Sequence, residues 1–369
     1  LTADADTDYE KMEALFAWVR DQVRYIAVSI GIGGYQPHHV DDIFRNQYGD
    51  CKDMVTLLVT MANEIGIEAY QALTSTFQNG VPDTTLPSPY HFNHVIAYAP
   101  NVGETGVWMD PTEKGSEFGQ LPWYDQGTPV LKVGDDGEGT LIVTPTDDPR
   151  NNRKDMDWKV ELAADGSATV TGSRKLWGAN AAEFREDLMN ASQTRQKRWL
   201  ETDLAQLVSG AVLDTFSVSG LEPVANPLTI DFRFHTSTFA KVRNDQIVLE
   251  PGEYSGIGLP SLFASRDRTH PVRFSYGFQK DVSLEINFPE EWQVSTEAML
   301  DSVSSDFGKV EWNWYGGDQI FHANVSYLLD GGTIYPSRYS AFQEYLDEIR
   351  QRDLREIIFV KRQRADAVN

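Results

Sequence analysis

The chain has 369 residues, with 32 Lys plus Arg against 55 Asp plus Glu and a net charge of −23. So acidic a surface repels phosphate backbones and excludes nucleic acid as a partner, while the single cysteine excludes an intramolecular disulfide and any multi-cysteine metal site. Apolar residues at 41 % suit a globular chain long enough for two domains, and no run is apolar enough to span a bilayer.

Leu1 to Thr7 is a polar, acidic lead-in without a signal peptide, and a start at Leu1 rather than Met predicts a processed or trimmed N-terminus. Met12, Leu15, Phe16, Val19 and Val23 recur with helical period and predict an amphipathic helix from Asp8. Arg24 to Ile32 reads as β-like until Gly33-Gly34 breaks it. Tyr35-Gln36-Pro37 then leads into a short helical stretch, Val40 to Arg45.

Asn46 to Ile67 is the stretch around which the chain is organised. Met54, Leu57, Leu58, Met61 and Ile65 form one apolar helix face, Asp50 can cap its start, and Gly66 can close it. Cys51 falls in the first turn, where unpaired N–H groups and the helix dipole favour the thiolate, the nucleophilic form. Alone, a free cysteine reads as a small buried hydrophobe, and it needs a histidine and an acid before it reads as a nucleophile.

Ala69 to Thr76 is a strand, followed by a loop from Gln78 to Pro89. His94 to Ala99 and Gly106 to Asp110 form a hairpin around the turn Pro100 to Thr105. Helices followed by antiparallel strands are an α+β pattern. Glu113 to Thr140 reads as loop, and the character changes near residue 148, which divides the chain into domains 1–147 and 148–369. The second half is β-rich. Trp158 to Ala163 and Ser167 to Leu176 read as a hairpin, Asn180 to Leu207 as helix, and runs from Leu228 to Leu328 as strands. Ser340 to Arg352 is a late helix, with Leu354 to Val360 either prolonging it or forming a last strand.

A cysteine acyl-transfer site needs a thiolate, an imidazole to shuttle its proton and an acceptor to orient that imidazole. Cys51 opens a helix, His94 opens a strand and Asp110 ends the next, so the three can meet at one end of the hairpin. Pro111 holds Asp110 extended, although an Asp-Pro turn is the plainer reading of that pair. His91 competes with His94 but faces the other way and lies at the loop edge. Asp50 and Asp53 read as caps and Lys52 as solvated. No metal or other cofactor is expected, since no HExxH spacing appears and Gly134 to Gly139 lacks the alternating acids of a calcium loop.

The runs YGDCKD (Tyr48 to Asp53), NHVIAY (Asn93 to Tyr98) and WMDPT (Trp108 to Thr112) resemble the transglutaminase-like superfamily, papain-like folds with a Cys-His-Asp triad. They most resemble bacterial transglutaminase-like proteins, where YGDCKD follows a Gly-Tyr-x-Pro segment, here Gly34 to Pro37. The resemblance covers roughly residues 8 to 115. A weaker one continues through GLPSLFASRDRTHPVRF (Gly258 to Phe274) and the final helix.

The resemblance implies a papain-like catalytic domain followed by a β-rich, sandwich-like domain. It makes Cys51 the nucleophile, His94 the general base and Asp110 the orienting carboxylate. It also implies a periplasmic or extracellular location, and a further β domain upstream that this chain lacks. For the oxyanion hole the Cys51 N–H is one donor and the Gln36 amide the candidate second, though Gln36 reads equally well as a turn residue before Pro37. The implied function is cysteine-dependent acyl transfer on a peptide or protein substrate by hydrolysis. Transamidation by the same residues is the alternative, and a non-catalytic peptide- or glycan-binding scaffold is a second.

Overall fold

Helix α1 (Asp8–Gln22) begins where the sequence can cap it. The Thr7 hydroxyl accepts from the Glu10 N–H at 3.2 Å and the Glu10 carboxylate accepts from the Thr7 N–H at 2.8 Å. The computed structural model describes residues 1–27, 31–83, 85, 88–134, 137–221, 224, 227–252 and 267–362. They form two compact units, 1–147 and 148–369.

In the first unit, α1 is followed by α2 (Val40–Asn46) and α3 (Cys51–Glu64). Met12, Phe16 and Val19 of α1 share a core with Met54, Leu58 and Ala62 of α3. Gly66 adopts φ +82°, so the chain turns off α3 as the Gly66 N–H bonds to Asn63 and the Ile67 N–H to Ala62. Ile65 departs from the expected apolar face and is exposed, because the helix has already ended there.

Two short strands, β1 (Arg24–Tyr25) and β2 (Tyr48–Gly49), pair in parallel just before α3. The main sheet is antiparallel and comprises β3 (Tyr70–Thr74), β4 (His94–Ala99), β5 (Val107–Met109), β6 (Pro129–Val133) and β7 (Gly139–Val143), in the order β5-β4-β3-β6-β7. From Val95 onward strand β4 is largely apolar because both its faces are covered. Val95, Ala97 and Ala99 join the α1–α3 core, while Ile96 joins Ala72, Trp108 and Val130 on the other side.

Strand β6 and the start of β7 lie in the stretch read as loop, Glu113 to Thr140. The edge strand β7 is mostly exposed and starts at Gly139, so it carries no burial-driven alternation for sequence reading to find.

The second unit is built on an eight-stranded sheet. Its strands are β8 (Arg153–Leu162), β9 (Ala168–Leu176), β10 (Val212–Ser219), β11 (Leu228–Thr236), β15 (Phe278–Asn287), β17 (Met299–Ser305), β18 (Gly308–Gly316) and β19 (Ile320–Leu329). The order is β10-β11-β9-β8-β15-β19-β18-β17, antiparallel except where β8 and β15 run parallel.

One face is apolar, with Met156, Trp158, Val160 and Leu162 buried along β8, while Asp157, Lys159 and Glu161 point outward. The buried face shares its core with α4 (Ala179–Leu188), α5 (Gln193–Leu207), α6 (Pro336–Asp353) and a four-stranded sheet. That sheet contains β12 (Lys241–Arg243), β13 (Gln246–Leu249), β16 (Trp292–Val294) and β21 (Ile357–Lys361), ordered β12-β13-β21-β16. The layer facing the large sheet is thus part sheet and part helix rather than a second full sheet. A two-stranded pair, β14 (Val272–Phe274) with β20 (Gly332–Ile334), completes the described strands.

The helical stretch 180–207 is two helices, because Asn190 to Ser192 interrupts it and Ser192 caps the second. Residues after Leu354 turn into β21 rather than prolong α6. In the motif Gly258 to Phe274, residues 258–266 lie outside the described residues. Among the described residues no helix is long and apolar enough to cross a membrane.

Candidate active site

Strands β1 and β2 place Tyr25 beside Gly49, and the chain then enters α3 through Asp50. Asp50 and Asp53 form a reciprocal capping box: the Asp50 N–H donates to Asp53 Oδ2 at 3.1 Å, and the Asp53 N–H to Asp50 Oδ1 at 3.4 Å. The Asp53 carboxylate does more than cap. It is 1 % exposed and also accepts from the His38 N–H at 2.8 Å, with His38 Nδ1 at 3.0 Å. The Gly-Tyr-x-Pro loop is thereby tied to the start of the cysteine helix. Lys52 is not solvated as expected: it is buried, and its ammonium folds back onto Asp50.

Cys51 is the first residue of α3 and is a half-buried free thiol. Its side chain interacts electrostatically with His94 and with the Tyr25 hydroxyl. His94 opens β4, and its Nε2 lies 2.9 Å from Asp110 Oδ2. That leaves Nδ1 as the ring nitrogen available to the sulfur. Asp110 follows β5, is 1 % exposed, and accepts at Oδ1 from the Thr112 N–H (2.9 Å) and hydroxyl (2.7 Å). The fold therefore brings Cys51, His94 and Asp110 together in one chain of contacts. His91 stays apart, in the turn Pro89–His91.

Gln36 is not drawn into this chain. It is exposed, its N–H donates to Ile32 O at 2.9 Å, and among the described contacts its side chain has no hydrogen bond to Cys51, His94 or Asp110. Tyr25, which the motif reading passes over, meets the sulfur instead. Burial, with the nearby Cys51, Asp50 and Asp110, pushes its phenol up to about 12, so it remains a donor at physiological pH.

A second residue absent from the sequence reading is Asp125, at the end of the turn Trp123–Asp125. It is fully buried, and its Oδ2 lies 3.9 Å from His94 Nε2. Nothing in Trp123 to Gln126 marks it, since an acid in a Gly- and Pro-rich stretch is an ordinary turn residue.

The electrostatics follow from burial and charge. Burial works against the charged form of His94, but the charge and hydrogen bond of Asp110 outweigh it, with smaller contributions from Cys51 and Asp125. The imidazole is raised well above its ordinary value. Burial would raise Asp110, yet His94 and Thr112 together hold it below the usual carboxylate range. Asp125 is pushed up to about 8, first by burial and then by the charge of Asp110, with His94 opposing.

His94, Asp110 and Asp125 also gather potential metal donors within 4.8 Å of one another, where no ligand set was expected. The fit to an ion is poor. His94 Nε2 and Asp110 Oδ2 stand 2.9 Å apart, whereas two donors on one tetrahedral zinc sit about 3.3 Å apart. Asp110 Oδ1 is already occupied by Thr112. The spacing suits shared protons.

A profile of the transglutaminase-like superfamily matches residues 1–100. Residues 1–100 belong to the transglutaminase-like superfamily. This is a family of cysteine-type acyl transfer. A separate profile, a domain of unknown function with a solved structure (DUF3858), matches residues 246–359, beyond the transglutaminase-like region. No curated protein matches the chain. Among solved structures, the chain is similar to that of a putative protease from Parabacteroides distasonis ATCC 8503, with a TM-score of 0.55 and 14 % identity, covering 98 % of this chain and 53 % of that one. The chain thus spans about half the length of that protein, and at this identity the likeness shows the fold alone. The transglutaminase-like unit followed by a β-rich unit is an α+β architecture.

Proposed function

We propose that the transglutaminase-like unit is a cysteine-dependent amide hydrolase acting on peptide or protein substrates, with Cys51, His94 and Asp110 as its triad. The contact chain from the Cys51 sulfur through the His94 ring to the buried Asp110 carboxylate carries this reading. The Cys51 thiolate attacks the amide carbonyl, and the imidazolium gives its proton to the departing amine, leaving a thioester. Water then attacks the thioester, its proton returns to His94, and Cys51 leaves as the thiolate. The raised basicity of His94 favours the thiolate–imidazolium pair with which the cycle begins.

The tetrahedral oxyanion needs donors. The Cys51 N–H at the start of α3 is one, and the Tyr25 hydroxyl takes the place first assigned to Gln36. Transamidation differs only in that an amine replaces water at the thioester. We infer from the resemblance a periplasmic or extracellular setting for this chemistry.

Iodoacetamide alkylation of the full chain tests the proposal. The reaction should persist to mildly acidic pH in the wild type and revert to ordinary thiol behaviour in His94→Ala, while His91→Ala changes little. Asp110→Asn should keep the fold and lower turnover of a peptide-library substrate by about 10²–10⁴. Adding a primary amine separates the two outcomes: retained hydrolysis supports a peptidase, and quantitative amide exchange a transamidase. A thiol inert to alkylation at every pH, together with a His94→Ala variant identical to wild type, would return Cys51 to the core.

A further inference from the structure

Asp125 sits against the triad with an unmet bonding requirement. Both its carboxyl oxygens are buried, and neither receives a hydrogen bond from a protein donor among the described residues. Its neighbours are His94 Nε2 at 3.9 Å and the carboxyl of Asp110, the three residues' ligand atoms lying within 4.8 Å of one another. Two ionised carboxylates this close and this buried repel and, being acceptor-only, cannot bond to one another, so a proton on one of them relieves both. Asp110 already accepts from His94 and twice from Thr112, three donors that all stabilise its ionised form. Asp125 has no such donors.

We propose that Asp125 is a fourth, positioning member of the site, a neutral carboxylic acid that donates its proton in a hydrogen bond to Asp110. This rests on the triad proposed above. The bond holds the Asp110 carboxylate in place and withdraws some of its negative charge. Asp110 then orients the imidazolium without holding its proton too tightly for transfer to the leaving amine. The rise of Asp125 to about 8 is the behaviour of such a group.

The groups facing it are His94 from β4, Asp110 after β5, and Glu113 and Tyr124 from the flanking loop, with Cys51 and Tyr25 beyond the imidazole. Only His94 among them is cationic. Ionising Asp125 therefore adds a second anion beside the imidazolium and sets it against Asp110 and Glu113.

Two measurements on the full chain test this. Carbon-13 NMR of aspartate-labelled wild-type protein should show the Asp125 carboxyl neutral at pH 7 while Asp110 is ionised; an ionised Asp125 at that pH overturns the proposal whatever Cys51 does. Asp125→Asn keeps a neutral donor to Asp110 and cannot ionise. Its iodoacetamide reactivity at neutral pH should stay well above that of Asp125→Ala, which offers Asp110 no donor. The alkaline change in the wild-type alkylation profile, centred near 8, should move by about one pH unit or vanish in Asp125→Asn. An unchanged alkaline profile in that variant, or loss of neutral reactivity in a folded Asp125→Asn that Asp125→Glu restores, refutes a neutral positioning acid. An inert thiol with a neutral Asp125 would count against the triad and leave the protonated pair standing.

Discussion

Gly49 provides a sharp test of how the cysteine helix is held. A Cβ added there would lie 2.5 Å from Asp53 Cβ and 2.9 Å from Asp53 Oδ2. The first is a carbon rooted on the helix, not a movable tip, so Gly49→Ala must displace either β2 or the first turn of α3. Overpacking of this kind costs about 1–3 kcal/mol. If the Asp53 carboxylate also withdraws, the His38 and Asp50 N–H groups lose their acceptor, at about 1–3 kcal/mol for each group left buried and unpaired. His38 can turn to water, which leaves one unpaired group and a combined cost of roughly 2–6 kcal/mol. For a unit of this size each kcal/mol moves the midpoint by about 2–4 °C, which gives a drop of order 10 °C. Calorimetry of the full chain would measure it, with iodoacetamide kinetics reporting Cys51 alongside. If Gly49→Ala melts with the wild type and alkylates at the same rate, the loop-to-helix tie through Asp53 does not position the cysteine, and the argument from geometry fails.

Two further outcomes concern the second unit. Arg174 is buried, with its guanidinium 2.6 Å from Asp203, so Asp203→Ala should destabilise that unit by about 3–5 kcal/mol in urea titrations, whereas an effect below about 1 kcal/mol would mean that solvent reaches the arginine. Lys154 is held down to about 7, chiefly by burial and then by the charges of Arg174 and Lys280. Between about 7 and the ordinary value of 10.5 the folded state therefore binds fewer protons at this site than the unfolded state, and stability should rise with pH across that window. Lys154→Met should flatten that rise, and an unaltered slope would place the ammonium in solvent.

The sequence carried the site where chemistry dictates local pattern. Cys51 sits between a capping pair and an apolar helical face, and both features are periodic or positional, so they can be read without a structure. His94 and Asp110 were legible because each borders a short apolar run, His94 before Val95 to Ala99 and Asp110 after Val107 to Met109. Asp125 and Tyr25 were not legible. Each owes its place to tertiary contact, Asp125 from a turn and Tyr25 from a two-residue strand that only its pairing with β2 defines. The same reason hid β6 and β7, whose residues mostly stay near solvent and so show no alternation. Lys52 misled in the opposite direction: a lysine is solvated by default, and only the adjacent buried Asp50 folds it inward.

The four-stranded sheet of the second unit sets a timetable for biosynthesis. Its strand β21 lies between β13 and β16, with Ile357 and Phe359 wholly enclosed, so the middle of the sheet comes from residues made more than sixty positions after its other strands β12, β13 and β16 begin. Residues 1–147 make their own contacts and can fold as the nascent chain emerges. The second unit must wait with Ile247, Leu249 and Trp292 uncovered until residue 361 has left the ribosome. A stop codon or frameshift before β21 would therefore release a chain with a folded cysteine unit and a sheet open at its centre, a substrate for chaperones and proteases.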